Sequence, residues 1–264
     1  MAEKQMRLDK FLSEAVNLTR KEAKVVLNKG KVSVNGELCK SGDRKVTTED
    51  EILLDGKRLG GIEEFLYLML HKPAGVVSAT EDNKDKTVLD LVREQEAECE
   101  SSLEEVEELW KFSIGKKELF PVGRLDKDTE GLLILTNDGE LAHQLLSPKR
   151  HVDKIYFAKL SGIVPDDAIE RFENGIQVGK EYRAMPAKLE VLSSKEEEKS
   201  SEVQITLREG KFHQVKRMCH EIGCEVTYLK RLSMGSLKLD KNLPLGKCRK
   251  LTMEEVQKLK EDIK

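Results

Sequence analysis

The chain has 264 residues, enough for one large domain or two unequal ones. Charged residues make up 36% and hydrophobic residues 38%, and recurring aliphatic runs exclude a chain held open by charge, while no apolar stretch approaches the roughly 20 residues of a membrane helix. The formal net charge is -3, from 46 Lys and Arg against 49 Asp and Glu, which argues against a nucleic-acid partner only if the charge is evenly spread.

The opening Met-Ala-Glu-Lys-Gln-Met-Arg-Leu-Asp-Lys-Phe lacks the apolar run of a signal peptide. Leu8, Phe11, Leu12, Ala15 and Val16 have helical spacing and predict a one-sided buried helix over 7–16. Thr19 and Glu22 stand as a capping box before a second short helix, with Gly30 at its end. Val32 and Val34 alternate before Asn35-Gly36, and the strand 51–54 precedes Asp55-Gly56, both hairpin signals. Residues 1–59 therefore read as one small module. Gly60-Gly61 reads as a hinge in a 60–64 linker, and 65–264 as a larger domain.

That domain begins with the apolar run Phe65–Leu70, a central strand broken by His71-Lys72-Pro73-Ala74-Gly75, with extended structure resuming at Val76-Val77 and a short helix over 87–92. Residues 93–118 are rich in Glu. Leu103, Val106, Leu109 and Trp110 could line a short helix there, in a partner site or in a solvated surface insertion. Gly131–Thr136 predicts a buried strand, 140–146 a helix stopped by Pro148, 154–162 an alternating strand and 166–176 a helix. Strands over 187–192 and 202–208 are joined by a polar loop, 214–222 is a helix, and strands over 226–232 and 236–239 precede a terminal helix. Without a regular βαβ repeat, this is an α+β chain with a mixed, mostly antiparallel sheet and flanking helices. The five cysteines, Cys39, Cys99, Cys219, Cys224 and Cys248, contain no C-x-x-C pair and read as reduced packing thiols of a cytoplasmic protein.

Two regions could carry chemistry. The first module places Arg7, Lys10, Arg20, Lys21, Lys24 and Lys31 among its helices and hairpin. Such cations can follow a phosphate backbone, or belong to an ordinary mixed-charge surface, since Asp9, Glu14 and Glu22 interleave. In the second region Gly123-Arg124-Leu125-Asp126 sets a carboxylate in a loop before the strand at 131–136. A carboxylate held in such a loop can act as nucleophile or base, or can simply cap a turn. Lys154-Ile155-Tyr156 sets a tyrosine at a strand start, and Glu209-Gly210-Lys211-Phe212-His213-Gln214-Val215-Lys216-Arg217-Met218 sets cations, a His and a Gln at a strand-to-helix turn.

Residues 6–54, through Arg7-Leu8-Asp9-Lys10-Phe11-Leu12, Thr19-Arg20-Lys21-Glu22-Ala23 and Gly30-Lys31-Val32-Ser33-Val34-Asn35-Gly36, resemble the alpha-L RNA-binding module of a small-subunit ribosomal protein. The ordered set Leu70–Gly75, Gly123–Gly139, Lys154–Tyr156 and Glu209–Met218 resembles the RsuA-type (RsuA/RluB/RluE/RluF) ribosomal RNA pseudouridine synthases over about residues 6–253. The resemblance implies Asp126 as the catalytic aspartate, Tyr156 stacked under the target base, and Lys216 paired with the aspartate. It implies RNA contacts by Arg7, Lys10, Arg20, Lys21, Lys24, Lys31, Lys72, Arg124, His213, Gln214 and Arg217. It also implies isomerisation of a uridine flipped from its stack, with no cofactor and no metal, matching the absence of phosphate-loop and dinucleotide motifs. The expected partner is ribosomal RNA in an assembling small subunit, acted on by a monomer away from any membrane. The His213–Met218 wording points to 16S RNA. The alternatives are a 23S RNA enzyme of the same family and a non-catalytic ribosome-assembly factor.

Overall fold

The computed structural model describes residues 5–16, 18–47, 50–59, 65–101 and 119–264. The chain divides into two compact units, Met1–Phe65 and Leu66–Lys264.

In the first unit, β1 (Met6–Arg7) leads into α1 (Leu8–Ala15) and α2 (Arg20–Asn28). The short strands β2 (Val32–Val34), β3 (Glu37–Leu38), β4 (Lys45–Val46), β5 (Ile52–Leu54) and β6 (Lys57–Arg58) follow. The capping box forms as the spacing predicts: Thr19 Oγ1 accepts from Glu22 N, and Glu22 accepts from Thr19 N at 2.7 Å. Asn35-Gly36 and Asp55-Gly56 all take positive φ, the geometry that a two-residue hairpin turn requires. Leu8, Phe11, Leu12, Ala23, Leu27, Val32 and Val34 close into one core, the helical stripe facing the inner side of the sheet.

The second unit comprises β7 (Tyr67–Lys72), α3 (Val88–Ser101), β8 (Phe120–Pro121), β9 (Glu130–Thr136), α4 (Gly139–Leu146), β10 (Lys154–Ser161) and α5 (Ala168–Glu173). It continues with β11 (Gln177–Val178), β12 (Tyr182–Arg183), β13 (Lys188–Lys195), β14 (Ser200–Leu207), α6 (Gln214–His220), β15 (Glu225–Met234), β16 (Leu237–Lys238), β17 (Cys248–Lys250) and α7 (Met253–Glu261). The main sheet runs β13-β14-β10-β15-β9-β7-β17. Among its described pairings only β9 with β15 is parallel. The α+β architecture on a mixed, mostly antiparallel sheet is thus as predicted.

The run Leu68–Leu70 is continuously apolar because both faces of the sheet are covered. Leu68, Leu70, Leu133 and Leu135 pack with α3, α5 and α6, while Met69, Leu132 and Ile134 pack with α4 and α7. The β9–β15 seam demands Gly131. Its φ is +109°, and a Cβ there would collide with the backbone N and O of Arg231.

Several expectations need correction. β7 does not stop before His71 but runs through Lys72, pairing His71 with Leu132 and Lys72 with Gly131. Val76-Val77 forms no strand: Val77 makes a single bridge to Thr87. The helix expected over 87–92 continues to Ser101, so the Glu-rich stretch expected as an insertion begins within α3. The rest of the predicted insertion, 102–118, with Leu103, Val106, Leu109 and Trp110, lies outside the described residues, as does the hinge at Gly60-Gly61. Gln95 ties α3 to the sheet edge, donating to Cys248 O and accepting from Cys248 N, both at 2.9 Å. The polar loop expected after 192 shrinks to a tight turn at 196–199, because β13 and β14 pair from Lys188 with Thr206 to Lys195 with Ser200.

Cys39, Cys219, Cys224 and Cys248 are buried free thiols, and burial pushes the Cys219 thiol up to about 12. No helix among the described residues is long and apolar enough to cross a membrane.

Candidate active site

Asp126 sits in the loop between β8 and β9, and three other parts of the chain hold that loop. Gly123 turns it with φ +74°. The Ser78 hydroxyl grips the backbone of Leu125 from both sides, accepting from its N–H at 3.1 Å and donating to its carbonyl at 2.9 Å. Gly75 N donates to Lys127 O at 2.7 Å, and Thr129 N closes the turn onto Asp126 O at 3.0 Å.

The fourth restraint is Lys72, and it corrects an expectation. Lys72 is fully buried and unable to meet RNA. Its Nζ donates to the carbonyls of Thr129 (2.8 Å), Pro73 (2.9 Å), Asp126 (3.1 Å) and Lys127 (3.3 Å). The amine gathers the carbonyls of the Asp126 turn, adding a donor to those of Asp126 and Lys127, which also accept from Thr129 N and Gly75 N, and supplying one to those of Pro73 and Thr129. Burial draws its pKa down to about 8, with the charges of Asp128, Asp126 and Glu130 acting the other way. Lys72 is a positioning residue.

The Asp126 carboxylate faces a cleft lined by Arg124, Tyr156, His213, Lys216 and the apolar Leu207 and Leu229. Tyr156 comes from the centre of the sheet, where β10 pairs it with Ile205 on one side and Arg231 on the other. At 8% exposure its side chain belongs mainly to the core under the cleft. Leu125 and Val215 complete the apolar side. The cleft thus offers the Asp126 carboxylate, the Tyr156 ring and a cationic rim on an apolar floor, a setting suited to a planar polar ring.

Helix α6 supplies the rim. Lys216 Nζ lies 3.4 Å from Asp126 Oδ2 and closer to Asp128, at 2.6 and 2.8 Å from its two oxygens. The expected Lys216–Asp126 pair is therefore a bridge between two carboxylates. Against burial, which raises it, the bond and charge of Lys216 hold the Asp128 carboxyl below its ordinary range. His213 Nε2 lies 3.6 Å from Asp126 Oδ1.

The remaining predicted residues divide. Arg124 is exposed on the cleft wall. Gln214 is buried, donates to Glu209 Oε1 at 2.5 Å and accepts from Lys211 N at 2.9 Å. It knits the turn before α6, at the lining of the cleft. Arg217 pairs with Glu181 at 2.7 Å, lies 5.4 Å from the Tyr182 ring, and lines a neighbouring groove. In the other unit Arg20, Lys21 and Lys24 are exposed on α2. Lys10 is exposed on α1, Arg7 is held by Asp9 and Asp43, and Lys31 pairs with Asp55 at 2.8 Å. Ser78, Asp128 and Glu209 were not singled out from sequence, since a lone Ser or acid in a loop carries no period or spacing. Their roles arise from partners 47, 88 and 5 residues away.

A model described as RNA pseudouridylate synthase matches residues 66–221. The chain belongs to the RNA pseudouridylate synthase family. It is accordingly an isomerase of the pseudouridine synthase type, and residues 6–52 match the S4 domain. Among similar proteins, an uncharacterized RNA pseudouridine synthase of Bacillus subtilis is 42% identical, covering 97% of this chain and 99% of the relative. The ribosomal large subunit pseudouridine synthase B of Bacillus subtilis is 38% identical over 96% of this chain and 95% of its own. The ribosomal small subunit pseudouridine synthase A of Haemophilus influenzae is 36% identical over 96% and 99%. A crystal structure of a pseudouridylate synthase superposes with TM-score 0.62 at 35% identity, covering 96% of this chain and 99% of the other.

Proposed function

We propose that this pseudouridine synthase acts on ribosomal RNA, and that its target uridine lies in the 16S RNA of the small subunit. The observation that carries the catalytic reading is the Asp126 carboxylate, set on a loop whose backbone Ser78, Gly75, Thr129 and Lys72 restrain, and facing a cleft with Tyr156 and Lys216. A uridine turned out of its stack enters this cleft. Its N1–C1′ bond breaks, the uracil rotates, and C5 bonds to C1′ while C5 loses a proton and N1 gains one. Asp126 acts at C1′ as nucleophile or at the 2′ proton as base, and Tyr156 offers its ring to the uracil face. Lys216, shared between Asp126 and Asp128, keeps the carboxylate oriented once RNA excludes water.

Relatives named for either subunit resemble this chain to similar degrees. The His213-Gln214-Val215-Lys216-Arg217-Met218 wording is what favours the small subunit. Wild-type protein is incubated with 16S and 23S transcripts, and pseudouridine is mapped in each. Modification of 16S RNA alone supports the reading. Modification of 23S RNA alone transfers the target to the large subunit, and modification of neither sinks the ribosomal assignment.

The first unit supplies affinity and the second the chemistry. Lys21→Ala and Lys24→Ala each weaken RNA binding and lower the slope of log K against log salt by about one. Turnover at saturating RNA stays at the wild-type value. Filter binding across a potassium chloride series, with single-turnover rates, checks both; a lost chemical rate at saturation contradicts this division.

A further inference from the structure

We infer that Phe212, stacked on His213 at the rim of the catalytic cleft, receives the nucleobase next to the target uridine in the RNA strand. The inference rests on the uridine-isomerising reading of the cleft and adds an element of substrate recognition to it.

Aromatic residues are only 5% of this chain, yet the Phe212 ring is 72% exposed. Exposed apolar side chains are common singly, and Leu38 and Met253 are others here. Phe212 differs from them in its setting. Its ring lies on the His213 imidazole, centroids 3.8 Å apart and planes 17° apart. The same imidazole reaches to 3.6 Å from Asp126 on the cleft side. The two rings therefore form a flat step leading away from the reacting carboxylate, and the exposed Phe212 ring is its outer end.

The step is rigid for reasons local to its turn. His213 holds φ +49° and ψ +34°, a left-handed conformation uncommon for a residue with a side chain. Gln214 N donates to Lys211 O at 3.2 Å, and the Gln214 side chain joins Lys211 N to Glu209. α6 starts at once after His213, so the helix anchors one side of the turn. A left-handed residue retained beside a catalytic carboxylate, with its ring in a stack, is the kind of strained element that function maintains.

The chemistry of the RNA supplies the occupant. When a uridine leaves its stack, each neighbouring base loses a stacking surface. An aromatic side chain restores it for any base, because every base has a π face. Charge plays the smaller part. The adjoining groove carries His213, Lys216, Arg217 and His220, but Arg217 pairs with Glu181 and His220 with Glu225. Lys216 bridges Asp126 and Asp128. On this side of the rim the exposed ring is what is offered to a base, while Arg124 stands on the cleft wall.

The test uses Phe212→Ala, Phe212→Leu and Phe212→Trp in the full chain with 16S and 23S transcripts as probes. Phe212 is exposed, so none of the three threatens the core. Loss of the ring lowers kcat/KM about 10-fold in Phe212→Ala. Phe212→Leu falls with it, since it keeps apolar bulk without a π face, while Phe212→Trp retains wild-type turnover. Trp emission of Phe212→Trp is quenched on adding RNA beyond any change in wild-type protein, whose one Trp is Trp110. Wild-type rates in Phe212→Ala, equal rates in Phe212→Leu and Phe212→Trp, or unquenched emission overturn the inference. If wild-type protein modifies neither transcript but Phe212→Trp is still quenched, the ribosomal reading fails and the stacking role stands.

Discussion

Asp126→Asn reduces pseudouridine formation by roughly 10³-fold or more at saturating RNA. The substitution keeps the size of the side chain and removes both the nucleophilic charge and the basic oxygen. The loop should not move. Its restraints are backbone bonds from Ser78, Gly75, Thr129 and Lys72, none of which uses the Asp126 side chain. Lys216 retains Asp128 as a partner, so α6 keeps its tether. RNA affinity and thermal unfolding therefore stay near wild type while the chemical step is lost. Pseudouridine yield in a single-turnover experiment, beside filter binding, separates the two; equal yield from wild type and variant would falsify the assignment of Asp126.

Lys72→Met has the second-largest effect, and it acts on both fold and rate. The apolar side chain fills the space but removes the amine donor from the carbonyls of Pro73 and Thr129 and leaves those of Asp126 and Lys127 with only their backbone donors. Relief of a buried charge offsets part of that loss, leaving a net destabilisation of about 2–4 kcal/mol near neutral pH. The Asp126 turn also loosens, and a shift of about 1 Å at a reacting group can cost about 100-fold in rate. A pH series identifies the amine as the cause. The folded-state pKa of Lys72 is about 8, below the unfolded value of about 10.4. Between those values the unfolded chain holds the extra proton, so this group's contribution to stability rises with pH. Urea unfolding at pH 7 and pH 9.5 should show wild type gaining on Lys72→Met. A constant difference between the two proteins would mean that Lys72 is not a buried cation with a lowered pKa.

Much of the fold is legible in the chain because its determinants are local. The Thr19–Glu22 and Thr252–Glu255 capping boxes, the Asn35-Gly36 and Asp55-Gly56 turns and the alternation of Lys154–Ser161 lie within a few residues of the elements they specify. The loop around Asp126 was legible for a similar reason, as an ordered motif. The errors cluster where one residue serves an element distant in sequence. His71 and Lys72 look like a strand break because of Pro73, yet pairing with Leu132 and Gly131 carries β7 past them. The resemblance implied RNA contacts for Lys72 and Gln214, and Lys and Gln are usually solvated. Both are buried because each satisfies backbone groups that the fold has taken out of water.

By itself the sequence determined the family and the two helices and hairpins of the first unit, and it singled out Asp126 and Tyr156 as candidates. The net charge of -3 proved a poor guide, because Glu-rich stretches offset the exposed Arg20, Lys21 and Lys24. Only the tertiary structure decided how the site is assembled. The parallel seam of β9 with β15, possible because Gly131 lacks a Cβ, joins strands about a hundred residues apart. Pairing of β10 with β14 and β15 then sets Tyr156 in the sheet beneath the cleft where α6 brings Lys216 to Asp126. Such register depends on packing both faces of a sheet at once. No window of neighbouring residues contains that information.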